Sequence, residues 1–223
     1  MIELVKEQLK VFTEERNIPG HHGYEHYITV YDHAVKASVN LSEENKIEVL
    51  IAALLHDVDD EKLFGKNDNY KNARKILSNT LDVDVEKVIE MIDLVSCSKS
   101  GNKVVNEIYK YIPRDCDRLE GIGEIGIKRC KEYIDDKKVA SHLDSTPRVY
   151  NEEELNKIAT IDRFISYTNG KRSVSMLDHF YDKLLHIGKP ENLLSQNPYI
   201  LAEASNRNNI MTQFVINYWK QQS

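Results

Sequence analysis

With 223 residues, of which 41% are hydrophobic and 30% charged, the chain is long enough for one well-filled core or at most two small ones. Its net charge of −6 argues against wrapping a nucleic-acid duplex, but it does not exclude a small phosphorylated ligand held by a metal ion and a few local cations. No stretch approaches about 18 uninterrupted apolar residues, no signal-peptide region is visible, and Cys97, Cys116 and Cys130 have no paired spacing, so we expect a cytoplasmic protein without a membrane partner.

Helical periodicity dominates the first quarter of the chain. Apolar residues recur at helical spacing over 2–16, and the Pro-Gly pair at 19–20 ends that element. A histidine-rich turn then leads into a second helix, whose apolar face runs from Tyr27 to Ala37. Ser42, followed by two glutamates, indicates the start of a third helix, which is the most apolar of the chain and runs to about His56.

Further helices follow along the rest of the chain. We predict them over 70–79 and 84–98, in two stretches of 104–134 around Pro113, and at the four-residue apolar repeats of 176–185 and 210–219. The polar, irregular segment of about 134–172 predicts a long surface loop or lid, with a short helix near 152–168. Because no alternating strand pattern is visible, the sequence predicts an all-α, single-domain helical bundle over residues 1–223.

The pair His56-Asp57 stands at the end of the apolar run of the third helix. Two polar, metal-competent side chains where a buried element ends need partners, because an unpaired buried carboxylate is expensive. The chain offers His26 upstream, and Asp115 and Asp117 downstream. Each of these residues taken singly has an ordinary structural explanation, but two imidazoles and two carboxylates from separate helices can also bind a divalent metal ion.

The set and its order resemble the HD-domain superfamily of metal-dependent phosphohydrolases. Four stretches carry the resemblance: H-G-Y-E-H, A-L-L-H-D, D-C-D-R-L-E-G-I-G-E-I-G-I-K-R and L-D-H-F-Y-D-K-L-L. Together they extend it over roughly residues 1–130 and 173–220. The similar branch comprises small stand-alone hydrolases, some of which cleave nucleoside triphosphates to monophosphate and pyrophosphate. The resemblance therefore implies a helical bundle of the HD-domain type.

The resemblance implies metal ligands at His26, His56, Asp57 and Asp117. The D-R-L sequence that includes Asp117 favours this residue over Asp115, which we interpret as supporting or structural. Binuclear members of the superfamily resemble one another in having extra histidines between the third and fourth of these ligand positions, and this chain has none between Asp57 and Asp117. We therefore expect one divalent ion, with Mn²⁺ favoured and Mg²⁺ next, because open carboxylate-rich sites suit these metals better than zinc.

Acidic residues just after the HD pair match positions that orient or activate the attacking water in the related hydrolases of guanosine tetraphosphate alarmones. The resemblance places this role on Asp60 and Glu61, although the stretch D-V-D-D-E-K equally fits a solvated turn. A bound ion would lower the pKa of its water, and Asp60 or Glu61 would take the proton. Positive charge for the phosphates is predicted from Lys62, Lys66, Arg114 or Arg118. Arg118 has the alternative of supporting the neighbouring carboxylate.

The resemblance thus implies a phosphohydrolase that converts a nucleoside triphosphate to monophosphate and pyrophosphate. A nucleoside monophosphate phosphatase or an alarmone hydrolase would use the same ligands, and a nucleotide-binding sensor of low turnover is a further alternative. Two departures from the family keep these alternatives open. Thr29 stands where relatives usually have arginine, and the segment after I-G-I-K-R, usually rich in aromatic residues and glycine, reads C-K-E-Y-I-D-D-K-K. The expected partner is a small phosphorylated nucleotide. Base preference and oligomeric state, including a homo-oligomer, are not readable from the sequence.

Overall fold

The computed structural model describes residues 1–18, 23–65, 68–78, 83–95 and 104–222. All regular structure in these ranges is helical, so the all-α prediction is confirmed. The helices are α1 (Ile2–Glu15), α2 (Tyr24–Ala37), α3 (Glu43–Leu55), α4 (Glu61–Phe64), α5 (Lys71–Leu77), α6 (Val85–Val95), α7 (Ile112–Glu120), α8 (Gly123–Lys137), α9 (Glu152–Ile158), α10 (Ile161–Thr168), α11 (Met176–His179), α12 (Leu185–Ile187) and α13 (Pro198–Gln221). A π-helical segment, Phe180–Leu184, separates α11 from α12.

The chain divides into two compact units. Unit 1 comprises Met1–Asp117 and Leu194–Ile200, and unit 2 comprises Arg118–Leu193 and Leu201–Ser223. The single domain and the lid at about 134–172 stay predictions. In that segment α8 ends at Lys137, residues 138–151 are not helical, and α9 and α10 follow. Within the described ranges, no helix has the length and apolar character needed to span a bilayer.

Unit 1 is built around α3, which packs against α1, α2 and α6. The Ser42 hydroxyl begins this helix, as predicted, by accepting a hydrogen bond from the Asn45 amide at 3.3 Å. Every residue of 49–55 is buried. Because full burial of each Val, Leu or Ile side chain contributes about 1.5–3 kcal/mol, this run holds α3 in the core and fixes the position of His56 at its end.

Asp59 fixes the chain that follows His56 in unit 1. Its buried carboxylate accepts hydrogen bonds from the backbone amides of Asn72 and Ala73 at 3.0 and 2.8 Å. These amides belong to the first turn of α5, where backbone N–H groups have no partner within the helix. The Asn72 side chain in turn donates to the Val58 carbonyl at 2.8 Å. One acidic residue of D-V-D-D-E-K is therefore a helix cap.

Glycines of the G-I-G-E-I-G stretch in unit 2 permit a close approach of backbone and side chains. Gly123 has a φ of +73°, and a Cβ atom there would lie 2.9 Å from Cγ of Arg207. A Cβ atom on Gly126 would lie only 2.4 Å from the Gly121 carbonyl oxygen. Because no side chain fits such distances, packing explains these glycines.

A network of charged side chains joins α10 to the segment around α11 in unit 2. Arg163 donates from Nη2 to Asp178 at 2.8 Å and from Nε to Asp182 at 2.6 Å. The second oxygens of the two carboxylates accept hydrogen bonds from the hydroxyls of Ser175 (2.7 Å), Thr146 (2.9 Å) and Ser173 (2.8 Å). Burial raises the pKa of Asp178, but its hydrogen bonds from Ser175 and Arg163 outweigh this and leave the pKa below its ordinary value.

Candidate metal centre

Helices α2 and α3 bring two histidines together in unit 1. His26 lies in the first turn of α2, His56 follows the last residue of α3, and both are buried. His56 Nδ1 lies 2.9 Å from the Ala53 carbonyl oxygen. Because a carbonyl only accepts, Nδ1 carries a proton, and Nε2 of the neutral ring keeps a lone pair for a metal ion.

Three electron-pair donors converge at this point. His56 Nε2 lies 3.1 Å from His26 Nε2 and 3.6 Å from Asp117 Oδ1, and His26 Nε2 lies 3.3 Å from the same oxygen. Ligand atoms that each lie about 2.1 Å from one ion are separated by about 3.0 Å at right angles and about 3.4 Å at tetrahedral angles. The spacing of the three atoms therefore fits a single divalent ion.

The electrostatic surroundings of the centre also favour a cation. Burial lowers the pKa of His56, but the carboxylates of Asp57 and Asp117 outweigh it and raise the pKa above its ordinary value. A field that favours a positive charge on a buried imidazole also favours a metal ion at the same place. We refer to His26, His56 and Asp117 as the ligand cluster.

The fourth predicted ligand, Asp57, lies beside the ligand cluster. Its Oδ2 is 3.5 Å from His56 Nε2, and its side chain is largely buried. The three donor atoms that lie within 4.8 Å of one another belong to His26, His56 and Asp117. Asp57 is therefore adjacent to the centre, and its coordination of an ion stays a prediction.

The two residues predicted to handle the attacking water differ in their surroundings. The Asp60 carboxylate contributes to raising the pKa values of both His56 and Tyr27, so its charge reaches the centre. Glu61 is exposed, and its charge contributes to the raised pKa of Tyr70. Because electrostatic interaction falls with distance, this difference favours Asp60 as the residue nearer the reaction.

The predicted phosphate-binding arginines are engaged with other groups. Arg114 is buried and donates from Nη1 to Asp115 at 2.7 Å. The other carboxylate oxygen of Asp115 accepts from the Ser195 amide at 2.7 Å, which agrees with a structural role for Asp115. Arg118 donates from Nη1 to the Asn192 carbonyl oxygen. These contacts favour structural roles for both arginines.

Two of the side chains predicted to bind phosphate, those of Lys62 and Lys66, lie outside the described residues. Thr29, the residue that stands in place of an arginine, donates from its hydroxyl to the Glu25 carbonyl oxygen at 2.9 Å, within its own helix.

Tyr27 is a residue near the centre that the sequence interpretation assigned only to the apolar face of α2. Its ring centroid lies 5.2 Å from that of His56, its side chain is fully buried, and its hydroxyl has no hydrogen-bond partner among the described residues. Burial raises its pKa, as do nearby aspartates, Asp57 foremost. A tyrosine at helical spacing usually packs in a core, so only its direct succession to His26 could have singled it out.

A comparison with known sequences finds a viral relative. The chain is 46% identical to uncharacterized protein L803 of Acanthamoeba polyphaga mimivirus over an alignment of 226 positions. This alignment covers 94% of this chain and 93% of that protein. No family model matches the chain.

Solved structures share the fold. An HD-superfamily hydrolase from Bacillus thuringiensis matches with a TM-score of 0.70 and 23% identity, over 99% of this chain and 96% of that one. YpgQ from Bacillus subtilis, in complex with ADP, matches with a TM-score of 0.64 and 19% identity, over 99% and 94% of the two chains. At these identities the likeness concerns the fold, and the HD-type fold implied by the sequence resemblance is confirmed.

Proposed function

The chain belongs to the same family as the mimivirus protein L803 and has the HD-superfamily fold, and on this premise we propose that it is a metal-dependent phosphohydrolase acting on a nucleotide. The observation that carries the proposal is the convergence of His26, His56 and Asp117, with the lone pair of His56 Nε2 held toward the other two ligand atoms. The ADP bound to YpgQ supports a nucleotide as the substrate class.

The proposed roles are those that the family resemblance implies, and the geometry of the ligand cluster supports them. His26, His56, Asp57 and Asp117 would hold one divalent ion, Mn²⁺ before Mg²⁺. When bound, such an ion lowers the pKa of a coordinated water and polarises a phosphoryl group. Asp60 accepts the proton of the attacking water, a contribution of about 10²–10⁴-fold to the rate. The burial of both imidazoles keeps bulk water from their side and strengthens the electrostatic interactions there.

The reaction we favour is cleavage of a nucleoside triphosphate at its α-phosphorus. The water oxygen forms a bond to this phosphorus while the bond to the bridging oxygen of the β-phosphate breaks. The products are a nucleoside monophosphate and pyrophosphate, and the water proton passes to Asp60. A phosphatase or alarmone hydrolase reaction would use the same ligands on a different phosphoester.

The test is a substrate panel with the purified protein and added Mn²⁺. Nucleoside tri-, di- and monophosphates and guanosine tetraphosphate are incubated separately, and pyrophosphate and orthophosphate are measured. Pyrophosphate from a triphosphate, absent in Asp117→Ala, supports the proposal. Orthophosphate from a monophosphate would replace it with a phosphatase, and pyrophosphate from guanosine tetraphosphate with an alarmone hydrolase. No release with tight nucleotide binding would leave a sensor.

A further inference from the structure

Tyr27 places a polar atom where the described fold supplies no partner for it. The side chain is 0% exposed, and its hydroxyl makes no hydrogen bond to any described residue. An unsatisfied buried donor costs about 1–3 kcal/mol, and most buried polar groups in proteins bind protein atoms or ordered water. A hydroxyl retained at such a cost needs an explanation beyond packing, since phenylalanine would fill the same space.

The position of its ring relates Tyr27 to the ligand cluster. Its ring lies 5.2 Å from the His56 ring, and its chain neighbour is His26. Side-chain exposure falls from 32% at Asp117 to 6% at His26 and 0% at His56. The cluster therefore opens to solvent at Asp117 and is closed at His56 and Tyr27. A substrate as large as a nucleotide therefore reaches the cluster from the Asp117 side.

We propose that the Tyr27 hydroxyl donates a hydrogen bond to a water molecule on the closed side of the predicted ion and holds that water in place. The inference rests on the proposed function, because the water needs the ion. A phenol suits this task, since at neutral pH it is ordinarily protonated and donates without adding charge among the carboxylates. Tyr27 is thus a positioning residue that acts through a water ligand.

Tyr181 in unit 2 offers a matched control. It is equally buried, but its hydroxyl accepts a hydrogen bond from Trp219 Nε1 at 2.8 Å and donates one to the Pro147 carbonyl oxygen at 2.9 Å. This is the arrangement of a hydroxyl with a purely structural function. Removing it should weaken the fold and leave the ligand cluster unchanged.

The experiment compares Tyr27→Phe and Tyr181→Phe with the wild-type protein. Thermal unfolding is followed without metal and with saturating Mn²⁺, and Mn²⁺ affinity is measured by calorimetry. We expect metal-free Tyr27→Phe to be as stable as wild type or more so, because it loses an unsatisfied donor. Its Mn²⁺ affinity should fall by about 10-fold, with a smaller Mn²⁺-induced rise in Tm. Tyr181→Phe should lose stability and keep wild-type affinity.

The outcomes separate this inference from the proposed function. If the wild-type protein binds no Mn²⁺, the metal centre and the role of Tyr27 are both overturned. If it binds Mn²⁺ and Tyr27→Phe matches its affinity and Tm rise, only the role of Tyr27 is overturned. A metal-free Tyr27→Phe protein that loses stability as Tyr181→Phe does would show a structural hydroxyl, and this also overturns the inference.

Discussion

The ligand cluster of unit 1 and the Arg163 network of unit 2 both bring ionisable side chains together, largely buried, but their compositions differ. In the network, Arg163 supplies the positive charge and donates to Asp178 and Asp182. In the ligand cluster, the groups that meet at 3.1–3.6 Å are all electron-pair donors. Composition therefore distinguishes the two regions better than burial does. The arginine balances the carboxylates of the network, whereas three electron-pair donors at these distances are typical of a metal site.

The distinction between the two regions depends first on whether the ligand cluster binds a metal ion. We expect Asp117→Ala and Asp57→Ala to abolish Mn²⁺ binding in calorimetry and to lower turnover by about 10³-fold or more. Asp32→Ala, at an exposed carboxylate of α2, is the control and should behave as wild type. Full turnover with tight metal binding in Asp57→Ala would remove this residue from the ligand set.

The second prediction concerns the acidic pair beyond the ligand cluster. Asp60→Asn should lower kcat by about 100-fold or more because the proton acceptor is lost, while Glu61→Gln should change it little. Both variants should bind Mn²⁺ as wild type, since neither is a predicted ligand. Steady-state kinetics at saturating substrate decide the matter. A larger loss of kcat in Glu61→Gln than in Asp60→Asn would show that the effect of Asp60 on the pKa of His56 does not identify the proton acceptor.

The third prediction tests whether the Arg163 network is purely structural. Arg163→Met leaves two buried carboxylates without their cation, and we expect the free energy of unfolding to fall by about 3 kcal/mol, at the lower end for buried pairs because Arg163 is partly exposed. Urea unfolding at pH 7 measures this loss. Mn²⁺ affinity should not change. Weakened Mn²⁺ binding in a variant of normal stability would contradict the distinction between the two regions.

The smallest effect is a pH dependence of stability in unit 2. Burial and the nearby Lys183 charge lower the pKa of His179 to about 4. A folded-state pKa below the unfolded value gives stability that is complete above about pH 6.5 and is lost as the pH falls towards 4. We expect a loss of about 2 kcal/mol between pH 7 and pH 4.5 in urea unfolding.

His179→Leu provides the control for this pH dependence, because it removes the titrating group from the same partly buried position. Its unfolding free energy should decline less over the same interval. His56 has the opposite sign, because its pKa is raised, so its contribution is lost as the pH rises. An identical decline in wild type and His179→Leu would assign the acid sensitivity to other groups.

The features that could be predicted are those encoded by local pattern. The apolar run before His56 and the hydroxyl of Ser42 specify α3 and its start, because burial and capping depend on neighbours in sequence. Asp59 and Asp60 could not be distinguished in this way. Both are aspartates of one turn, and only the amides of α5, at Asn72 and Ala73, mark Asp59 as the cap.

Side-chain direction is the other property that the sequence left open. Arg114, one of the predicted phosphate-binding residues, lies buried against the neighbouring Asp115, a contact that favours a structural role. The sequence does not reveal that these two adjacent side chains are both buried and form an ion pair. The helical spacing likewise predicts that the Tyr27 ring is buried, but it does not reveal that this ring lies beside His56.

The glycine contacts of unit 2 matter for how relatives should be recognised in genomes. The D-R-L-E-G-I-G-E-I-G stretch holds two separable kinds of information, since Asp117 belongs to the ligand cluster while Gly123 and Gly126 satisfy steric demands. We expect a homologue that has lost the aspartate and kept the glycines to fold in the same way and to lack activity. Searches that score the whole stretch at once will count such pseudoenzymes as hydrolases, whereas scoring the aspartate separately will not.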